Sequence, residues 1–134
     1  MWKGYYEYGG GYILPQFGER VQIEVVLKGA NETFEGFVNE VESPHSVPLK
    51  AKIKGSSEDS FISFVKTYPK KPQIKELGSI DMIFEEGELK IEHEGFVDVE
   101  NNAIYGKWYI SEIHSDEDGE YESNSDLNNY NFLN

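Results

Sequence analysis

Four features are scarce in this sequence, and each scarcity excludes a class of protein. There is no cysteine, so disulfide bonds, cysteine metal ligands and cysteine nucleophiles are all excluded. There is a single arginine, Arg20, which leaves little for the bidentate clamps that hold phosphate and carboxylate groups. No run approaches the roughly 18 apolar residues of a membrane helix, so we expect no membrane span. Helical spacing of apolar residues is also nearly missing, which argues against a helical fold.

Positive charge is the other shortage. Lysine and arginine number 12 against 25 aspartates and glutamates, a formal net charge of −13. Nucleic-acid binding depends on clustered basic side chains that displace counterions, so we expect no nucleic-acid partner. The same charge would attract a basic protein.

The remaining composition is that of a folded domain. Of the 134 residues, 38% are hydrophobic and 14% are aromatic, which is too rich for a disordered chain. We expect residues 1–122 to form one domain and residues 123–134, rich in Asn and Ser, to be a frayed tail. The first residues carry no apolar segment of signal-peptide length, so we expect a cytoplasmic location, although a removed signal peptide would leave a similar chain.

Apolar and polar residues alternate along most of the chain, between turns rich in Gly, Pro, Asn and Asp. This period of two is typical of half-buried strands. It predicts strands at 2–8, 21–27, 33–41, 49–54, 61–68, 79–84, 88–99 and 103–113, with a short one near residue 121. A tight hairpin is expected at 85–87. We therefore predict an all-β fold, a closed antiparallel up-and-down barrel of 8–10 strands, with a β-sandwich as the alternative.

Three short motifs accompany these strands. They are Phe64-Val65-Lys66-Thr67-Tyr68, Glu94-Gly95 and Ile104-Tyr105-Gly106-Lys107-Trp108-Tyr109-Ile110. With them the chain resembles the calycin group, which comprises lipocalins, fatty-acid-binding proteins and streptavidin-like barrels. It is most similar to small bacterial barrels with F-x-K-x-Y, E-G and I-x-G-x-W-x-I segments. The resemblance covers residues 1 to about 122 and implies a small β-barrel.

Departures from those families narrow the expectation. Lipocalins carry G-x-W near the N-terminus, whereas this chain has the reversed order Trp2-Lys3-Gly4. Fatty-acid-binding proteins insert two helices after their first strand and hold the ligand carboxylate with arginine and tyrosine near the C-terminus. Residues 9–20 are too rich in Gly and Pro for helices, and no arginine follows Arg20. Fatty-acid binding by that mechanism is therefore disfavoured.

The strand at 61–68 contains the most informative polar position. If Ile62 and Phe64 point into the barrel, Lys66 and Tyr68 do so as well. A buried lysine needs a carboxylate, a tyrosine or a ligand anion as its partner. The alternative, which we favour, is that Lys66 lies near the barrel mouth and extends its ammonium group to water.

His93 alternates with Ile91 and Gly95, which indicates an interior hydrogen-bonding group rather than a metal ligand. An aromatic set could line a pocket or simply form the core; it comprises Trp2, Tyr6, Tyr8, Phe34, Phe84 and Trp108. We expect no metal, no cofactor and no catalytic residues.

Together these features favour a non-enzymatic, lipocalin-like barrel that binds a small, largely apolar molecule in its interior. The candidate ligand-binding residues are Lys66, Tyr68, His93, Trp108, Phe64 and Tyr6. The alternative is an acidic protein-interaction or inhibitor module that engages a basic partner.

Overall fold

The computed structural model describes residues 1–12, 14–30, 32–74, 82–124 and 127–134. These residues form twelve strands: β1 (Trp2–Glu7), β2 (Arg20–Ala30), β3 (Thr33–Glu40), β4 (Ala51–Glu58), β5 (Phe61–Tyr68), β6 (Lys71–Ile74), β7 (Met82–Glu85), β8 (Leu89–Asp98), β9 (Ala103–Tyr109), β10 (Ser111–Asp116), β11 (Gly119–Asn124) and β12 (Asn128–Leu133). Every regular element in these ranges is a strand, as the alternating sequence predicts.

Eight of the strands close into an antiparallel barrel, in the order β1-β12-β9-β8-β5-β4-β3-β2. Each barrel strand pairs with the next one along the chain, and β12 closes the ring against β1. Closure removes the unpaired edges that an open sheet would expose. The predicted all-β closed barrel is thus confirmed, and the sandwich alternative is not needed.

The two ends of the barrel differ in their connections. At one end, β2 and β3, β4 and β5, and β8 and β9 are joined by short turns. At the other end the links are long, at 8–19, 41–50, 69–88 and 110–127. We call these the short-turn end and the long-loop end. Binding groups commonly lie where loops are long, since loops vary at little cost to the scaffold.

Two of the long links contain hairpins outside the barrel. β6 pairs with β7, and β10 pairs with β11, each as a separate two-stranded sheet. The predicted strand at 103–113 is therefore divided at Ile110, where the chain leaves the barrel. The predicted hairpin at 85–87 was wrong, because β7 pairs with β6 rather than β8. The first residues of the predicted strand at 79–84 lie outside the described residues.

The expected frayed tail is also corrected. β12 pairs with β1 through Lys3 opposite Leu133 and with β9 through Asn128 opposite Trp108. Tyr130 and Phe132 are buried in the core. The sequence misled because the apolar residues of this segment are few and separated by asparagines. Asn129 and Asn131 occupy the outward positions of the strand, whereas Asn128 is buried on the same face as Tyr130 and Phe132.

Inward-facing glycines allow neighbouring strands to approach closely. Gly95 of β8 lies directly opposite Gly106 of β9. A Cβ atom added at Gly95 would lie 2.1 Å from the carbonyl oxygen of Tyr105 and 2.7 Å from the hydroxyl of Tyr130. The absent side chain therefore makes room for the Tyr130 ring, in keeping with the structural role expected of a strand glycine.

A search of the described ranges finds no helix with the length and apolar character needed to cross a membrane.

Candidate functional site

The six predicted ligand-binding residues all face the barrel interior. Each is buried, with exposure between 2% and 6%, and they come from four strands: Lys66, Tyr68, Phe64, His93, Trp108 and Tyr6. Lys66 does not extend to water, so the alternative of a lysine at the barrel mouth was wrong. Its ammonium group lies among protein atoms and needs a partner there.

That partner is Glu40, the last residue of β3. The Lys66 Nζ lies 3.7 Å from Glu40 Oε2, and the two side chains are 5% and 1% exposed. The ammonium group also lies over two aromatic rings, 4.4 Å from the centroid of Tyr6 and 4.7 Å from that of Tyr68. The electron-rich faces of these rings attract the ammonium group and partly replace the hydration that it loses on burial.

Glu40 is held by hydrogen bonds from three directions. The Tyr6 hydroxyl donates to Oε1 at 2.5 Å, and the backbone N–H of Val47 donates to the same oxygen at 2.7 Å. The Tyr68 hydroxyl donates to Oε2. A buried carboxylate is tolerable only when its lone pairs are satisfied in this way, so we name Glu40, Lys66, Tyr6 and Tyr68 the polar cluster.

Burial governs the protonation of the polar cluster. Desolvation lowers the pKa of Lys66 below its ordinary value, and the neighbouring Glu40 carboxylate partly offsets this. Burial raises the pKa values of Tyr6 and Tyr68 well above the ordinary value, and Glu40 adds to the effect. Both hydroxyls therefore keep their protons and act as donors to the carboxylate.

Trp108 lies beside the polar cluster in a group of tyrosine rings. Its ring centroid is 5.9 Å from that of Tyr6, 6.3 Å from Tyr8 and 6.0 Å from Tyr12. The indole Nε1–H is buried, yet no hydrogen-bond acceptor reaches it from the described residues. The predicted aromatic set is only partly brought together, because Phe84 lies exposed on β7, outside the barrel.

Interior groups also hold the long loops over this end. The Tyr8 hydroxyl donates to the carbonyl oxygen of His45 at 3.0 Å, and Val47 donates to Glu40 as described above. The backbone N–H of Gly9 donates to Asn128 Oδ1 at 2.8 Å. Tyr12 packs edge-on against Tyr8, with centroids 4.8 Å apart. The described residues of the loops at 8–19 and 41–50 are thus fixed by contacts with interior side chains at the long-loop end.

His93 belongs to the other side of the interior. Its ring stacks on Phe64, with centroids 4.4 Å apart and planes inclined by 20°, and Nδ1 lies 3.1 Å from the carbonyl oxygen of Ile91. Burial, and secondarily the positive charge of Lys66, lowers the pKa of His93 to about 3. The imidazole is therefore neutral near pH 7, with Nδ1–H donating to that carbonyl. The described side chains hold no group of three or more His, Asp or Glu placed to bind a metal ion.

Tyr130 is a second buried donor whose hydroxyl has no partner among the described residues. Its ring contacts Phe64 and His93, at centroid distances of 5.6 and 5.0 Å. Its hydroxyl lies beside Gly95, which places it near the middle of the barrel.

A separate depression of about 580 Å³ lies on the surface at the short-turn end. It is lined by Lys28, Gly29, Thr33, Phe34, Glu35, Lys54, Gly55 and Ser56. None of the six predicted residues borders it. It is wide open and carries both charges, so it offers little that would retain a small apolar molecule.

Sequence analysis did not single out Glu40, the carboxylate partner of Lys66. The predicted strand at 33–41 contains Glu40, but its inward register was not used to find a partner for Lys66. The signal was present, because a buried lysine requires a carboxylate and β3 ends with one in the inward register. Tyr130 was missed for a different reason, since its segment was expected to fray.

Comparisons of this chain with known proteins found no matching family model, no matching curated protein and no matching solved structure.

Proposed function

We propose that this barrel binds a small, largely apolar and uncharged molecule in its interior, at the long-loop end beside Trp108. The observation that carries the proposal is the indole N–H of Trp108, which is 3% exposed and meets no hydrogen-bond acceptor within the described ranges of the chain. A buried donor without an acceptor costs roughly 1–3 kcal/mol, and a ligand oxygen would satisfy it.

The purely structural explanation of the site covers only part of it. Glu40, Tyr8 and Asn128 hold the covering loops in place, and that role accounts for their burial. It does not account for Trp108, which makes no polar contact with the loops described. Of the six candidate residues, Trp108 is therefore the strongest ligand contact, and Lys66 and Tyr68 support the wall beside it.

The charge balance of the site favours an uncharged ligand. Lys66 and Glu40 already neutralise each other inside the barrel. An ionised ligand would bring a further charge into the interior without a counter-charge, and such burial is costly. The aromatic rings around Trp108 favour an apolar body, and the indole N–H favours one carbonyl or ether oxygen.

A calycin-like relationship is part of this proposal. The eight-stranded barrel in which each strand pairs with its neighbour supports it. So does the inward position of Lys66, Tyr68 and Trp108, which belong to the motifs that carry the resemblance.

The test uses chain-length-matched compounds: an aliphatic ketone, the corresponding alkane and the corresponding carboxylate. The protein contains two tryptophans, so a Trp2→Phe variant reports Trp108 fluorescence alone. We expect the ketone to change that fluorescence and to raise the unfolding midpoint, by about 2.7 kcal/mol in stability at a ligand concentration of 100 Kd. The alkane and the carboxylate should bind at least tenfold more weakly.

Trp108→Phe should abolish most of the ketone's stabilising effect, because it removes the N–H and keeps an aromatic ring. Trp2→Phe is the matched control and should leave the affinity unchanged. The proposal fails if no compound in the panel changes the Trp108 signal or the unfolding midpoint. It also fails if Trp108→Phe binds the ketone as tightly as the parent chain.

A further inference from the structure

Three aromatic side chains form a contiguous patch on the outer surface of the barrel near the short-turn end. Phe61, Phe96 and Tyr105 are 46%, 49% and 44% exposed. They lie directly opposite one another on β5, β8 and β9. Their ring centroids are 6.0 Å apart for Phe61 and Phe96, and 6.1 Å apart for Phe96 and Tyr105. We call these three residues the outer aromatic patch.

The outer aromatic patch is unlike its surroundings. Two residues further along the same three strands, the outward positions are Ser63, Glu94 and Lys107. Cross-strand aromatic pairs stabilise a sheet by roughly 0.2–1 kcal/mol each. This small gain in stability does not by itself explain why three aromatic rings are left half exposed. Contiguous exposed apolar surface of this kind more often marks an interaction site.

A second exposed ring on the barrel provides a comparison. Phe37 of β3 is 42% exposed, close to the value for the outer aromatic patch. The ammonium group of Lys50 lies over its ring, 4.4 Å from the centroid. Phe37 thus has a cation of its own chain as its partner. No cation-ring contact of this kind is found for the outer aromatic patch among the residues that the structure describes.

The charges around the outer aromatic patch are mostly negative. Glu58 lies directly opposite Phe61, and Asp59 follows it in the turn. Glu94 and Asp98 flank Phe96 on β8. The nearby base is Lys107, whose ammonium group donates to Asn129 Oδ1. Among the described residues around the rings, the rim therefore presents four acids and one base, a net negative charge. Glu94 and Asp98 accept hydrogen bonds from neutral groups of the chain, and these leave their charge in place.

From this geometry we propose that the outer aromatic patch docks a basic protein segment, one in which apolar side chains alternate with lysine or arginine. The apolar side chains would cover the rings, and the basic ones would meet the acidic rim. A second copy of this chain is a poor occupant, because a symmetric pair would place the acidic rims against each other. An anionic lipid surface is disfavoured by the same repulsion.

The test uses synthetic 12-residue peptides and backbone NMR titration of the whole chain. One peptide alternates lysine with leucine and tryptophan, and a second alternates lysine with serine. We expect the first peptide to shift resonances of β5, β8 and β9 around the outer aromatic patch. The second should bind at least tenfold more weakly, because charge alone leaves the rings uncovered.

Variants then separate docking at the rings from general attraction to an acidic protein. Phe96→Thr should weaken the first peptide about tenfold or more while keeping a residue suited to a strand. Phe37→Thr, the matched control, should change its affinity less than twofold. Glu58→Lys with Glu94→Lys should weaken it and reduce its dependence on salt concentration.

Several results would overturn the inference. These are equal binding of both peptides, unchanged affinity in Phe96→Thr, or resonance shifts concentrated elsewhere on the barrel. Binding of the chain to vesicles rich in phosphatidylserine would identify a membrane surface instead. Self-association that Phe96→Thr abolishes would identify a second copy as the occupant.

Discussion

The two ends of the barrel interior are built from different chemistry. Towards the short-turn end, Phe34, Phe64 and Phe132 pack together, with Phe64 at 6.1 Å from each of the other two rings. At the long-loop end, Glu40 and Lys66 form an ion pair inside a group of tyrosines. One end is stabilised by packing alone, whereas the other depends on hydrogen bonds that must all be made.

This difference separates the scaffold from the chemistry. Apolar packing tolerates exchange of similar side chains and places little demand on geometry. A buried ion pair is often no more stabilising than a hydrophobic substitute, so stability alone is a weak reason to keep it. The ion pair lies at the long-loop end beside Trp108, whose indole N–H has no acceptor among the residues that the structure describes. In the proposed function this ion pair keeps the ligand-binding region in shape.

The largest effect is expected from removing β12, which contributes side chains to both ends of the barrel interior. β12 supplies Asn128 at the long-loop end and Phe132 towards the short-turn end. A chain ending at Leu127 would leave β1 and β9 with open edges and an uncovered core. We expect the cooperative urea transition to be lost, as measured by circular dichroism. Two substitutions in the full chain provide a control. Phe132→Ala, at a buried position, should lower the free energy of unfolding by about 3–5 kcal/mol, and Leu133→Ala, at the exposed neighbouring position, should lower it far less. If the shortened chain unfolded at an unchanged urea concentration, β12 would be dispensable and the expectation of a frayed tail would be right after all.

The next effect sharpens the contrast between the ends. Glu40→Leu leaves the Lys66 ammonium group buried without its counter-charge, so we expect a loss of about 3–5 kcal/mol in the free energy of unfolding. Adding Lys66→Met should recover part of that loss, because it removes the isolated charge. Urea titrations of both single variants and the double variant measure the coupling.

Glu35 and Lys54 provide a matched control for that pair. They lie directly opposite each other on the outer face of β3 and β4, and both are exposed. Glu35→Leu and Lys54→Met should each change stability by no more than about 0.5 kcal/mol. If Glu40→Leu costs as little as these substitutions, or if Lys66→Met makes the double variant worse than Glu40→Leu alone, the polar cluster is not a coupled unit.

The effect that is smallest at neutral pH, and that grows only in acid, concerns His93, which lies between the two ends. Its pKa is about 3 in the folded protein, against an ordinary value near 6.5. Below about pH 6.5 the His93 imidazole is therefore protonated in the unfolded chain, whereas in the folded protein it stays neutral down to about pH 3. Stability should fall with decreasing pH across this window, by up to roughly 1.4 kcal/mol for each pH unit from this group.

His93→Gln removes that titration. The difference in unfolding free energy between the parent chain and the variant should then shrink as the pH is lowered from 7 to 4, measured by urea denaturation at each pH. A difference that stays constant over this range would mean that His93 is protonated equally in the folded and unfolded states.

Much of the barrel could be predicted from alternation, because a period of two fixes which face of a strand is buried once the fold is closed. Phe64 and Trp108 were expected inside for that reason. For Lys66 and His93, alternation alone did not decide between the interior and the barrel mouth or another position. Pairing partners were harder to predict. β6 and β7 pair with each other outside the barrel, and nothing local in Glu85-Glu86-Gly87 distinguishes that arrangement from a hairpin with β8.

The site was predictable only in part, for a physical reason. Alternation reports the direction of a side chain, but it does not report which side chain on a distant strand it meets. Lys66 and Glu40 are 26 residues apart in sequence and meet because β3 and β5 both flank β4. Similarly, the asparagines of β12 made the segment look polar, although Tyr130 and Phe132 give one of its faces two buried aromatic residues.

The pairing of β1 with β12 has a consequence for how the chain folds. The first strand meets its second neighbour only across nearly the whole sequence, so this contact has the greatest loop-closure cost of any pairing in the barrel. During synthesis β1 therefore keeps one unpaired edge until β12 has left the ribosome. Before β12 pairs with them, β1 and β9 each keep an unpaired edge, so this seam is where aggregation through strand edges is expected during folding.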